Sequence, residues 1–202
     1  MRVILASGSA RRPELLAMLH LAFEVIPADV DESSEERNPE RLGMELALRK
    51  ARAVAAREPG AAVIGADTLV TLDGRFFGKP ASGAEATETL QSLRGRTHRV
   101  VSGVAIVGDG HEAAGSAVTH VTMRPYTNEE IERYVATGAP LDKSGAYAIQ
   151  DQTFAPVAAY EGCMCSVIGL PLWTTRRLLK EVAGIETARP SHERCETCPL
   201  RS

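Results

Sequence analysis

The sequence has 202 residues, enough to bury one sizeable core or two small lobes around a cleft, and its 44% hydrophobic and 24% charged content is that of a folded, soluble protein. A formal net charge of −3 argues against general affinity for nucleic acid, and 4% aromatic residues are too few for base-stacking platforms along a single strand. No apolar run is long enough to span a bilayer, and the N-terminus is unlike a secretory signal, so the chain is expected in the cytoplasm with its four cysteines reduced.

Taken in chain order, Val3 to Ala6 is a short apolar run that predicts a buried strand; it breaks at Ser7-Gly8-Ser9, and Leu15, Leu16, Met18 and Leu19 then have helical spacing. A strand, a tight turn and a helix in that order aim backbone N–H groups and a helix dipole at one point, and Ser7, Ser9, Arg11 and Arg12 crowd the same turn. A phosphate chain is the guest such a turn suits; a capping serine beside solvated arginines is the plainer alternative. Phe23 to Pro27 predicts a second strand, and Asp29 to Glu36 an acidic loop. From Asn38 to Glu58 the pattern is helical, with Leu42, Leu46, Ala47 and Val54 as its apolar stripe and Pro59-Gly60 as its stop. Lys50 lies among Arg49, Arg52 and Arg57 and by itself reads as a surface charge.

Ala62 to Leu72 is the most apolar strand, with Asp67 in its middle, and Asp73-Gly74 turns it back as a hairpin. A helix is expected over residues 83–93. Long strands follow at Thr97 to Val107 and Ala117 to Met123, joined through Gly108-Asp109-Gly110. Thr127 caps a helix from Asn128 to Thr137, Tyr147 to Ile149 and Met164 to Leu170 read as strands, and Leu172 to Ala183 as the last helix. The polar stretch from Ala188 onward is expected to be a mobile tail. Alternating strands and helices followed by hairpins predict an α/β protein with a mixed sheet.

Asp67 carries the chemistry. A carboxylate inside an apolar strand is costly unless it is paired, hydrogen-bonded or bound to a metal, so it is expected to hold a divalent cation or accept a proton from water; capping a neighbouring turn is the bland reading. Glu32 is the second candidate carboxylate, and Arg11, Arg12, Lys50 and Lys79 are the candidate phosphate-binding cations. Carboxylates for a metal, cations for phosphates and a base are the parts that metal-assisted hydrolysis of a phosphoanhydride needs. No GxxxxGK[ST] or GxGxxG run is present, and no histidine is placed to serve a serine nucleophile; His98 reads as a hydrogen-bonding residue on a strand. Cys163 and Cys165 read as small buried residues. Cys195 and Cys198 have half a zinc-knuckle spacing, with His192 nearby, and the four thiols together make a weaker zinc reading.

Ser7-Gly8-Ser9-Ala10-Arg11-Arg12, Lys50-Ala51, Gly65-Ala66-Asp67-Thr68, Gly78-Lys79-Pro80, Gly95-Arg96-Thr97-His98, Ser102-Gly103-Val104 and Gly169-Leu170-Pro171-Leu172 together resemble the ordered motifs of the Maf family of nucleoside triphosphate pyrophosphatases, also called septum formation inhibitors. The resemblance implies an elongated mixed sheet flanked by helices, with two lobes around a central cleft, in one domain over residues 1–184 followed by a polar tail over 185–202. It implies a homodimer that acts on a nucleoside triphosphate, with Mg²⁺ or Mn²⁺, to give the monophosphate and pyrophosphate. By motif position Ser7, Ser9, Arg11, Arg12, Lys50 and Lys79 would hold phosphates, Glu32 and Asp67 the metal, and Asp67 would activate water, with Lys50 and Lys79 assisting catalysis. The stretch from Pro140 to Gln150 is similar to the dTTP/UTP branch, which sets Gln150 near the base; the alternatives are the 7-methyl-GTP or another purine branch, or a nucleotide-binding regulator of division without turnover. Arg49, where glutamate is usual, is expected to remove an ionic partner of the site, and Asp151, where glycine is usual, to rearrange the loop after Gln150.

Overall fold

The computed structural model describes residues 1–201. Along them run β1 (Arg2–Ala6), α1 (Arg11–Ala17), β2 (Glu24–Val25), α2 (Pro39–Ala55), β3 (Ala61–Leu72), β4 (Arg75–Phe77), α3 (Gly83–Leu93), β5 (Thr97–Gly108), β6 (His111–Met123), α4 (Asn128–Ala136), β7 (Val157–Glu161), α5 (Met164–Ile168) and α6 (Leu172–Ala183). The strands form one mixed sheet in the order β2-β1-β3-β5-β6-β7, with β4 paired to β3. The short β1 lies parallel to both β2 and β3, whereas β3–β4 and β6–β7 are antiparallel. The expected α/β class with a mixed sheet is the one found. Among the described residues no helix is long and apolar enough to cross a membrane.

The chain divides into two compact units: Met1–Thr68, Val101–Val118 and the chain from Gly162 on make the first, and Leu69–Val100 with Thr119–Glu161 the second. In the first unit Asn38 starts α2, its Oδ1 accepting from the N–H groups of Glu40 and Arg41, with Pro39 at the first helical position. The buried positions of α2, at Gly43, Leu46, Ala47, Lys50, Ala51 and Val54, recur at intervals of three and four, so Lys50 lies on the inward stripe rather than among the solvated charges. Two glycines let this stripe come close to the sheet. A Cβ at Gly65 of β3 would stand 2.0 Å from the carbonyl oxygen of Ala47, and one at Gly103 of β5 would stand 2.1 Å from the backbone of Gly43. Ile4, Ala6, Ala51, Val54, Ala61 and Val63 fill the adjoining core.

In the second unit β5 buries His98, whose Nε2 lies 2.8 Å from the Tyr147 hydroxyl, the hydrogen-bonding role expected for it. Its Nδ1 has no partner among the described residues. Thr127 caps α4 in a reciprocal box with Glu130. Asp151 organises its own loop: its Oδ1 accepts from the N–H groups of Thr153 and Phe154, and the Phe154 ring stacks 4.2 Å from Tyr134, beside Tyr126.

Three local expectations give way, and one strand was not foreseen. Tyr147 to Ile149 is irregular, because Tyr147 spends its hydroxyl on His98 immediately after the left-handed Gly145 and Ala146. Met164 to Ile168 is one short helix rather than a strand, closed by the N–H groups of Gly169 and Leu170, which both donate to the Cys165 carbonyl; so short an apolar run has no telling period. The edge strand β7 was hidden by its alanines, which offer little strand propensity, and it registers on β6 with Tyr160 opposite Val121. The C-terminal stretch is tied down: Pro190, Cys195 and Cys198 are buried, and the Ser191 N–H donates to the Met18 carbonyl.

Gly65→Ala and Gly103→Ala are each expected to cost about 3 kcal/mol or more in chemical denaturation, since the clash is with backbone that no rotamer change relieves. Burial holds His98 down to about 4 from its ordinary 6.5, so the unfolded chain takes up this proton first as the solution is acidified. Stability is therefore lost as pH falls from about 6.5 to about 4, by about 3 kcal/mol at most from this group, and His98→Gln is expected to flatten that limb when unfolding is measured at both ends.

Candidate active site

The buried carboxylate of β3 and the buried ammonium of α2 find each other. Lys50 Nζ donates to Asp67 Oδ1 at 2.6 Å, with both residues under a tenth exposed, and lies 2.7 Å from Glu32 Oε1. Glu32 itself is mostly exposed, on the loop that follows β2. What holds that loop is Arg49, whose guanidinium donates to the carbonyls of Asp31 and Ser33 at 2.5 and 2.9 Å and to Glu45 Oε1 at 2.6 Å. Arg49 thus brackets Glu32 from both sides instead of merely removing a partner from the site. The Ser33 hydroxyl and N–H donate to Asp31 and keep its carboxyl below the usual range, tightening the same turn.

The turn after β1 makes the second part. Ser7 is buried, its N–H donates to the Leu5 carbonyl, and its Oγ accepts from the Ser9 N–H. Neither serine caps α1: Ala10 occupies that position without a side-chain bond. Arg12 ties the turn to the rest of the unit. Its Nε donates to the Gly169 carbonyl at 2.9 Å, one terminal nitrogen to Ser7 Oγ at 3.1 Å, and the other to Thr68 Oγ1 at 3.4 Å. The network continues from Thr68 to the Ser102 hydroxyl at 2.8 Å, and from Ser102 to the Ser166 carbonyl at 2.6 Å. Burial acts to lower the Arg12 pKa, and the Asp67 carboxylate is the main opposing influence. Every acceptor Arg12 touches among the described residues is neutral, so within them its charge stays uncompensated by direct contact, and two of its five N–H groups are left for an anion.

Of the residues singled out from sequence, Ser7, Ser9, Arg11, Arg12, Glu32, Lys50 and Asp67 thus lie in the first unit. Lys79 and Gln150 lie exposed in the second, where the Gly78 carbonyl beside Lys79 accepts from the Gly145 N–H. Arg49, Ser102, Ser166 and the Gly169 carbonyl were not assigned site roles from the sequence: Arg49 stood out only as an unusual residue beside Lys50, Ser102 and Gly169 only as motif residues, and Ser166 not at all. The donor set fits a hard divalent cation, because Glu32 and Asp67 bring carboxylate oxygens within reach of a single point, the one that Lys50 Nζ shares.

Fold and site define an α/β protein built to hold charge of both signs, in the middle of the buried β3 and at the turn after β1. The model of the family described as Maf-like protein matches residues 2–182, and the chain belongs to the Maf family. A protein of Thermomicrobium roseum named dTTP/UTP pyrophosphatase is 45% identical over 206 aligned positions, covering 99% of this chain and 94% of that one. One of the same name from Moorella thermoacetica is 50% identical over 181 positions, covering 88% and 93%. Among solved structures, the Staphylococcus aureus Ham1 protein is similar with a TM-score of 0.46 and 18% identity, over 62% of this chain and 73% of that one.

Removing Lys50 alone leaves Asp67 buried without its cation. Lys50→Met is expected to cost about 3 kcal/mol, and the double variant Lys50→Met/Asp67→Leu to recover part of that loss; additive costs in a denaturant cycle would contradict the coupling.

Proposed function

We propose that this chain is a nucleoside triphosphate pyrophosphatase that hydrolyses dTTP and UTP to the monophosphate and pyrophosphate. The observation that carries the reading is the Lys50–Asp67–Glu32 cluster beside the Ser7–Arg12 turn, in a chain whose relatives of that name match it almost end to end. Glu32 and Asp67 would hold a divalent cation, Mg²⁺ or Mn²⁺; when bound it neutralises phosphate charge and eases deprotonation of water. Asp67 accepts the proton of the water that attacks the α-phosphorus. Lys50 passes from the carboxylates to the phosphates, where Arg11, Arg12 and Lys79 join it, and Ser7 and Ser9 donate from the turn. These cations stabilise the charge that builds on the departing pyrophosphate. Gln150 lies toward the base, on the loop that Asp151 holds through the N–H groups of Thr153 and Phe154, so this loop decides which base is accepted. The same family reading takes residues 1–184 as the catalytic domain of a cytoplasmic homodimer, for which sedimentation in solution is the check on assembly.

Asp67→Asn is expected to lower pyrophosphate release by about 10²-fold or more while leaving folding intact. Turnover of dTTP, UTP, CTP, ITP and 7-methyl-GTP side by side, with and without Mg²⁺, is expected to favour dTTP and UTP and to need the metal. Undiminished release by Asp67→Asn would refute the mechanism. Nucleotide binding without any release would instead favour a regulator that does not turn over.

A further inference from the structure

The four cysteines stand apart from the proposed chemistry, at two places distant in sequence. Cys163 and Cys165 flank Met164 at the start of α5, and Cys195 and Cys198 flank two residues near the C-terminus; all four are buried. Cys165 Sγ and Cys195 Sγ are 3.6 Å apart. That is far too long for a disulfide, which needs about 2.05 Å. It is close to the edge of a tetrahedron of sulfurs around zinc, about 3.8 Å for a Zn–S distance of about 2.3 Å. Cys163 and Cys198 belong to the same buried neighbourhood, the Cys163 thiol interacting with the thiols of Cys165 and Cys198.

The surroundings fit a cross-link. The C-terminal segment is polar and has little apolar surface to bury, yet it is held to the rest of its unit: Trp173 Nε1 of α6 donates to the Cys195 carbonyl at 3.0 Å, and the Ser191 N–H donates to the Met18 carbonyl. Thiols are weak hydrogen-bonding groups and give little reason for such a segment to fold back. We propose that Cys163, Cys165, Cys195 and Cys198 bind a structural zinc ion as a four-thiolate site. A donor atom of His192 also lies within 4.8 Å of those of Cys165 and Cys195. Its Nδ1, however, accepts from the Arg194 N–H, which puts the ring proton on Nε2 and leaves no free lone pair for a metal. The site supports the active turn from behind. Cys165 offers its carbonyl to the N–H groups of Gly169 and Leu170, and the Gly169 carbonyl holds Arg12.

Elemental analysis of the whole chain, purified under reducing conditions from zinc-supplemented cells, is expected to give about one zinc per chain. Cobalt exchanged for it anaerobically is expected to show thiolate-to-metal charge transfer and the visible bands of a tetrahedral ion, which a cation on the oxygen pair of Glu32 and Asp67 would not. Cys195→Ser is expected to abolish the cobalt spectrum and His192→Ala to keep it. A wild-type protein with no zinc, no cobalt spectrum and four freely titrating thiols would overturn the proposal, whatever the variants do. So would a Cys165–Cys195 disulfide found by mass spectrometry, or loss of the metal in His192→Ala.

Discussion

An ammonium buried between two carboxylates is the interaction around which the first unit is arranged. Asp67 could not stay charged in its place without Lys50, because its burial would carry a desolvation cost of several kcal/mol that the ammonium offsets. Together they require that a helix and a strand approach until Nζ and Oδ1 are in contact, and that approach requires Gly65 and Gly103 opposite the helix backbone. Glu32 adds a second carboxylate from outside, on a loop that Arg49 holds by its carbonyls. Such a cluster is poised rather than merely stable: on the proposed function a cation would compete with Lys50 for the same oxygens, and phosphates would compete with the carboxylates for Lys50.

The arginine beside it is handled in the opposite way. Arg12 meets hydroxyl and carbonyl oxygens only, so its position is fixed without its charge being neutralised by contact. One cluster thus stores charge in pairs and the other keeps a cation available, and Thr68, which accepts from Arg12, is the chain neighbour of Asp67 in β3. Chemistry on a polyanion needs both kinds of group, one to bind and one to exchange partners.

Much of the molecule was legible in the sequence because its signals are local. Thr127 at the start of α4, Asn38 before Pro39 and the Asp73-Gly74 turn mark their elements wherever they occur. Asp67 announced itself by being charged within an apolar run. What was missed depends on tertiary partners. Lys50 reads as a surface residue until its spacing from Leu46 and Ala47 is set against the face that packs on the sheet. Arg49 looked like a loss, because its acceptors are carbonyl oxygens 16 and 18 residues away that no side-chain pattern reveals. The C-terminal segment looked loose because polar composition was its only local signal, whereas its anchors are Met18, Trp173 and the cysteines of α5.

The contact of α2 with the two sheet glycines has one more consequence. Where backbone rests on backbone, the spacing is set by peptide atoms and not by whichever side chains happen to fill the interior. Lys50 is therefore registered to Asp67 by a ruler that does not change when Ile4, Val54 or Val63 is exchanged for another aliphatic residue. Natural variation, or a designer seeking a hardier enzyme, has freedom to repack this interior provided those two positions remain bare.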